Sequence, residues 1–398
     1  MKVVYSEGNS QEDLGFGLGC QLAEAIKHNI DSGMKDAESR GVDQRQLKQY
    51  ADQYMNVLNA GTLDLMEGLS QGSRVPFSSI LYFNVIQDWL CTDGCTTFAA
   101  IGKGTASGGA LLLKNRDVPA NSPVRGRYHY ENRQINVVQV LKNPDGNITV
   151  GVATAGSTGI VMGLNTYGVA TASNQGRTKE FKPEAQNGRV GNYRGQLMRE
   201  GLEHHTAKDA VKHVLNRLIQ IKTENPGILW FVDDKNIYVI EVAPQEFSVQ
   251  HVTDGFTVRA NHFILLDQLN DENISCVCRY FRGRQMLEEN YGNIDREKMV
   301  EFSMDHTNGP GESYICKHSR DERGSVTESA AIMEVNSQDP KKSRISIALG
   351  SPCWAWRSRA GNITFQIDDG MENIPKRFLD GSVYKEFIKE EPWEEAGT

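Results

Sequence analysis

Apolar residues recur at three- and four-residue spacing through LGFGLGCQLAEAIKHNI and QLKQYADQYMNVLNAGTLDLMEGL, with glycine breaks, so residues 12–70 are predicted to be mostly helical. From Cys95 the texture changes. Short β-type runs (TTFAAIG, GALLLKNRD, NVVQVLK, NITVGVATAG, YGVATASN) alternate with Gly, Asn and Asp turn signals, as successive antiparallel strands do. Helical spacing returns over 192–221, where Leu197, Leu202, Ala210, Val214 and Leu218 share one face. Strands resume in ILWFVD, NIYVIEVA, FSVQHV and FTVRANHF, followed by a helix-like 284–301 and a late strand in SRISIALGSPCWAW. The charged tail after Tyr384 reads as a frayed end or a peripheral helix. Strands, then a helix, then more strands predict an α+β architecture of two antiparallel sheets with helices on their outer faces, not the βαβ alternation of a doubly wound sheet.

Composition narrows the function classes. The net charge of -8 is spread along the chain, and no Lys/Arg run is interleaved with aromatics, so nucleic acid is not an expected partner. No window approaches the roughly 18 apolar residues of a membrane span. The start, MKVVYSEGNSQEDLG, has no apolar secretory stretch, so the chain reads as cytoplasmic. Cysteines at 20, 91, 95, 276, 278, 316 and 353 are odd in number and scattered, which argues against a disulfide framework. Cys276 and Cys278 form only a C-x-C and read as alternating strand or loop residues, so no metal and no cofactor is expected. Gly102, Gly104, Gly108 and Gly109 lie between β runs and open no helix, which makes a phosphate-binding loop a poor reading.

The chemistry concentrates in Asp93-Gly94-Cys95-Thr96-Thr97-Phe98, followed by Asn115-Arg116-Asp117. A thiol is a strong nucleophile only as thiolate, so it needs a base or a lowered pKa. If the bond before Cys95 is cut, the freed α-amino group, with an unperturbed pKa of roughly 8, sits on the same residue as the sulfur and supplies that base. Gly94 places no side chain in the way of attack on its carbonyl. The bland alternative is a hairpin Asp-Gly beside a buried small hydrophobe.

In this order D-G-C-T-T, a strand and N-x-D resemble the acyl-coenzyme A:6-aminopenicillanic acid acyltransferase family of N-terminal-nucleophile (Ntn) hydrolases, which includes relatives that hydrolyse acyl amides such as β-alanyl amines. The resemblance extends over about residues 12–356. Leu65-Met66-Glu67-Gly68-Leu69-Ser70-Gln71-Gly72 is similar to the family's E-x-x-G-I-A-E-G helix, and a segment leading to Asn84 follows. Gly163-Leu164-Asn165-Thr166-Tyr167-Gly168-Val169 resembles its G-x-N-x-x-G-V hairpin, and Arg259-Ala260-Asn261-His262-Phe263 its T-N-H-aromatic strand. Thr327-Glu328-Ser329-Ala330-Ala331-Ile332-Met333 resembles its T-x-x-S-x-x-M segment, with the Ser one position early, and Gly350-Ser351-Pro352-Cys353 resembles the G-x-P-C end.

The resemblance implies a four-layer αββα sandwich made as one precursor, cut into an N-terminal chain 1–94 and a C-terminal chain 95–398 that stay associated as one domain. It implies Cys95 as nucleophile, Asp117 as the residue holding the new amino group, and Asn261 as an oxyanion donor. Arg116 stands where some members carry a bulky residue and is read either as recognising an anionic substrate group or as pairing with a surface carboxylate. Asn165, Tyr167 and Asn174 line the pocket or serve turn geometry. Ser313-Tyr314-Ile315-Cys316-Lys317 aligns with a segment where the family has an active-site Arg after I-C. Lys317 keeps the charge without the fork, and is read either as acting on substrate or as a surface residue. His262, one strand position beyond Asn261, points to the other face and reads as structural. The expected substrate is a linear acyl amide, with hydrolysis favoured over transfer. Two alternatives are kept, an unprocessed Cys-His thiol hydrolase and an inactive Ntn-fold binding protein, and homo-oligomerisation is left open.

Overall fold

The computed structural model describes residues 1–89, 94–119, 134–179, 191–221, 223, 225–307, 313–318, 324–358, 361–367 and 376–379. Asp93 and the tail after Tyr384 lie outside these. A first strand, β1 (Lys2–Glu7), leads into α1 (Gln11–Ser39), α2 (Gln44–Met55), α3 (Ala60–Ser73) and α4 (Phe77–Trp89). Then follow β2 (Gly94–Gly102), β3 (Gly108–Pro119), β4 (Asn136–Lys142), β5 (Ile148–Thr154), β6 (Met162–Asn165) and β7 (Ala170–Gln175). Two helices, α5 (Arg194–Gly201) and α6 (Ala207–Gln220), precede β8 (Gly227–Val232), β9 (Ile237–Val242), β10 (Phe247–Val252) and β11 (Gly255–Arg259). The chain closes with α7 (Ile274–Glu289), α8 (Arg296–Ser303), β12 (Ser325–Val335), β13 (Arg344–Ala348), α9 (Pro352–Ala355), β14 (Asn362–Gln366) and α10 (Lys376–Leu379).

Among the described residues the strands form an eight-stranded sheet in the order β1-β4-β5-β6-β7-β8-β9-β10 and a six-stranded sheet in the order β11-β2-β3-β12-β13-β14. Side chains alternate across each strand, so a strand with both faces covered reads as a continuous apolar run. In β2, Ala99 and Ile101 face the other sheet and pack with Leu112, Val138, Val152 and Trp230, whereas Phe98 and Ala100 face outward onto Leu287, Met299 and Phe302 of α7 and α8. The outer face of the large sheet is covered twice. Leu18, Leu22, Ile26 and Phe83 of the N-terminal helices pack on Val4, Val137 and Leu141, and Leu197, Val211 and Val214 of α5 and α6 pack on Leu229, Phe231 and Ile240. The result is helix, sheet, sheet, helix: the expected αββα sandwich.

Three local readings need correction. The opening KVVYSE is a strand paired parallel with β4 (Val3 opposite Val138), so the large sheet is not antiparallel throughout. Its neighbour lies far along the chain, and six residues have no local partner from which to read this. Cys276 and Cys278 sit in helix α7, not in a strand or loop. The helix-like 284–301 is two helices, interrupted where Gly292 takes φ +81° and Asp295 caps α8 by accepting from the Lys298 N–H.

Helices α1 and α3 meet backbone to backbone. A Cβ built on Gly68 would lie 2.0 Å from the Glu12 carbonyl oxygen, and one on Gly15 would lie 2.2 Å from that of Leu65. No rotamer relieves a clash between backbones, so Gly68→Ala is expected to cost about 1–3 kcal/mol in urea unfolding. Gly61→Ala, whose nearest neighbour would be the Gln11 side chain at 3.5 Å, is expected to be neutral or mildly stabilising. Equal stability of the two variants would show that the helices are not in this close register.

Candidate active site

The register of β2 against β3 builds the site. Gly94 lies opposite Asp117 and Cys95 opposite Arg116, so the first two residues of β2 meet the last part of the N-R-D run. On its other side β2 pairs with β11, where Arg259 opposes Thr97 and the strand then ends. Two residues further on, opposite Cys95, the ladder is continued by a side chain: the Cys95 N–H donates to Asn261 Oδ1 at 3.1 Å. Asn261 Nδ2 donates to the Gln175 carbonyl of the large sheet at 3.0 Å, which ties the two layers together at this point.

Asp117 is fully buried. Its Oδ1 accepts from Thr327 Oγ1 at 2.7 Å, and that hydroxyl in turn accepts the Lys317 N–H at 2.7 Å. Its Oδ2 accepts no hydrogen bond among the described residues. Two cations flank it instead, with Arg279 Nη1 and Lys317 Nζ each 3.8 Å away. A Cβ on Gly94 would fall 3.1 Å from this same oxygen, so the carboxylate lies against the Gly94 backbone. A buried carboxylate needs such compensation, because desolvation otherwise favours its neutral form.

Arg279 is the functional residue that the sequence reading missed. Its Nη1 donates to the Cys95 carbonyl at 2.5 Å and to Thr96 Oγ1 at 2.8 Å, and its Nη2 donates to Asn261 Oδ1 at 2.8 Å. The available signal was helical spacing: Cys276, Arg279, Gly283 and Met286 form the buried face of α7, and an arginine in such a stripe requires a buried partner. Lys317 is buried, so the surface reading fails; its Nζ also donates to Ser325 Oγ at 3.2 Å.

Cys95 lines a small cleft of about 40 Å³ between the sheets, whose lining includes Lys114, Arg116, Ser173, Gln175, Tyr193 and Arg194. Arg116 pairs with Glu328 at 3.8 Å and donates to Asn136 Oδ1 at 3.2 Å, so its carboxylate partner is buried, not on the surface. Glu328 occupies an irregularity in β12, where the register against β3 shifts between Thr327 and Ser329. Such a bulge re-aims side chains.

Cys95, Gly94, Asp117, Asn261, Lys317 and Arg116 therefore converge, and Asn165 and Tyr167 do not. They lie at the far end of β6 from Val161, which lines the cleft. Asn165 accepts from the Tyr167 and Val169 N–H groups and donates to the Leu202 carbonyl, while Tyr167 stacks on His205 at 3.8 Å. Both serve the hairpin, as the turn-geometry alternative has it. Asn174 is buried between sheets, bonded to Thr97, Trp230 and the Ala260 carbonyl. His262 lies edge-on to Tyr280, and burial, followed by Arg279 and Arg259, pushes its pKa down to about 4, so it is neutral at physiological pH.

Residues 105–354 match the family model described as acyl-coenzyme A:6-aminopenicillanic acid acyl-transferase. No curated protein matches the chain. Solved structures similar to it include an N-acylethanolamine-hydrolyzing acid amidase ortholog from Caenorhabditis elegans, 16% identical, covering 60% of this chain and 92% of its own, with a TM-score of 0.39. Others are a conjugated bile acid hydrolase mutant from Clostridium perfringens (12% identical, 71% and 95% covered, TM-score 0.40) and penicillin V acylase from Agrobacterium tumefaciens (12% identical, 64% and 83% covered, TM-score 0.37). With the family model matching more than half its length and the motif residues gathered around Cys95, the chain belongs to the acyl-coenzyme A:6-aminopenicillanic acid acyltransferase family.

Proposed function

We propose that this chain cuts itself between Gly94 and Cys95 and then acts as an amidohydrolase on a compact, polar acyl amide. The observation that carries the reading is Asp117 Oδ2, which accepts no hydrogen bond among the described residues and lies beside the Gly94 backbone. An α-amino group released at Cys95 is an N–H donor for that oxygen, and carries the right charge for it once it has taken the thiol proton. Asn261 Oδ1, already bonded to the Cys95 nitrogen, orients it from the other side.

In the cut, Cys95 Sγ adds to the Gly94 carbonyl, the C–N bond breaks as the acyl group moves to sulfur, and the nitrogen takes a proton. Water then cleaves the thioester and leaves a Gly94 carboxylate and a free Cys95 thiol and amine. In turnover the α-amino group takes the thiol proton while sulfur adds to the substrate carbonyl. The second hydrogen of Asn261 Nδ2 stabilises the oxyanion. The amino group passes its proton to the departing amine, and water, or a second amine, takes the acyl group from sulfur.

Arg279 is a positioning residue. It holds the Cys95 carbonyl and Asn261 together and places a guanidinium charge beside Asp117, next to the ammonium charge of Lys317. The cleft lining includes Lys114, Arg116 and Arg194, with Ile160 and Val161 as its aliphatic side chains, which favours a short polar or anionic acyl group over a long hydrocarbon chain.

On a denaturing gel the active protein is expected as fragments of about 10 and 34 kDa from its 44.3 kDa, and Cys95→Ala as one uncut band without activity. A fully active, uncut protein would favour the Cys-His alternative. In cut enzyme, Asn261→Ala is expected to lower kcat by about 10²–10³ with a smaller change in KM. Short carboxylate-bearing acyl amides should be turned over faster than long-chain acyl amides, and the reverse preference would remove the reading of the cleft.

A further inference from the structure

Two cysteines quoted in the family motifs, Cys316 after Ile315 and Cys353 after Pro352, take no part in the acyl chemistry described above. The fold brings them together with two histidines. Donor atoms of His306, Cys316, His318 and Cys353 all lie within 4.8 Å of one another. His318 Nε2 is 3.4 Å from Cys316 Sγ and 3.2 Å from Cys353 Sγ. The His306 and His318 ring centroids are 5.1 Å apart.

We propose that these four side chains form a binding site for a divalent, thiolate-tolerant metal ion of the zinc class. In a tetrahedron with Zn–S of about 2.3 Å and Zn–N of about 2.0 Å, the sulfur to nitrogen edge is about 3.5 Å, close to the two separations seen here. Two sulfurs and two imidazoles are a ligand set that suits zinc and not calcium or magnesium. A disulfide would account for the two sulfurs and leave the convergence of the imidazoles without a cause. Both cysteines are free thiols in this structure. His306 is exposed, which gives an ion a path in from solvent, while Cys316 is buried.

The backbone around the four donors is braced against one strand. The Cys316 N–H donates to the Asp305 carbonyl at 3.1 Å, next to His306. His318 bridges to Val326 of β12, and Ser351 Oγ donates to the Thr327 carbonyl at 3.2 Å, two residues before Cys353. An ion here would staple His306, residues 316–318 and the start of α9 to the same end of β12. Lys317 sits between two of the ligands, and its own amine goes the other way, to Asp117 and Ser325. The ion is thus a structural staple that sets the Lys317 backbone, with chemistry on one side of the segment and metal on the other.

The test uses full-length protein purified under reducing conditions without chelator, both wild type and the uncut Cys95→Ala, so that metal binding is read independently of self-processing and turnover. Elemental analysis is expected to find about one zinc per chain in both. Chelator-treated protein, reloaded with cobalt(II), should show the visible bands of a tetrahedral cobalt site together with thiolate-to-cobalt charge transfer. Cys353→Ser and His318→Ala should lose most of the metal and the cobalt spectrum, while Cys276→Ser should keep both. The proposal is overturned by folded wild-type protein that neither contains zinc nor takes up zinc or cobalt after reduction. It is equally overturned by a Cys316 to Cys353 disulfide in the purified chain under the same conditions, or by unchanged metal content in Cys353→Ser.

Discussion

The structure around the site depends on one buried carboxylate. Asp117 has lost all contact with solvent, so its charge must be compensated locally, and each compensating group arrives on a different element: Thr327 from β12, Arg279 from α7, and Lys317 from the segment between α8 and β12. Removing either cation would leave a buried charge with too few partners, a change that typically costs about 3–5 kcal/mol. The need to compensate Asp117 therefore holds three separate parts of the chain in one arrangement around Gly94 and Cys95. That precision is a requirement of catalysis, because a misplacement of about 1 Å can cost 10²-fold in rate.

How much of this was legible in the sequence follows from how local each signal is. Cys95 and Gly94 are adjacent, and Asp117 ends an N-R-D run one strand later, so a hairpin of β2 and β3 brings them opposite one another with little more than alternation and turn signals to read. Asn261 is remote, and only the ordered family motifs pointed to it. Arg279 was hidden because a helix carrying CRYFRGR looks like a solvated charged face until its position in the Cys276, Gly283, Met286 stripe is considered. Asn165 and Tyr167 show the opposite error. A motif that recurs with the active-site residues can be there for the fold, and Asn165 spends its hydrogen bonds closing a hairpin. The four donors of the proposed metal site escape any spacing rule, since they are separated by 10, 2 and 35 positions and only Cys316 and His318 are near neighbours.

Polar ties between the layers explain why the sheets hold one alignment. An apolar interface between two sheets is non-directional and tolerates sliding by small amounts. Asn174 bonds Thr97 of the small sheet and Trp230 of its own, Lys114 reaches across to the Ser173 and Val161 carbonyls, and Arg259 meets Glu241 at 2.7 Å. Glu241 also accepts the N–H groups of Ile264, Leu265 and Leu266, which fixes the turn immediately after Asn261. Buried and fully paired, such groups lose much of their value if the sheets shift, so they specify a register that packing alone would leave loose. All lie near the end of the sandwich where Cys95 sits.

A terminus made into an active site faces a physical difficulty, because chain ends fray unless they are tied down. The end of β2 meets it in three ways. Cys95 is already paired with Arg116 of β3 on one side; on the other, where β11 has ended, the Asn261 side chain stands in for the missing strand; and the Cys95 carbonyl is held by Arg279. None of these contacts uses the bond to Gly94. The geometry that would restrain a free Cys95 amine is therefore complete before any cut is made, so cleavage would expose a preorganised residue and would not have to build a site. Release of the amine would also place an N–H donor next to the one Asp117 oxygen that lacks a hydrogen bond among the described residues, and a positive charge there once the amine has taken the thiol proton, so the product of cleavage would be better compensated there than its precursor.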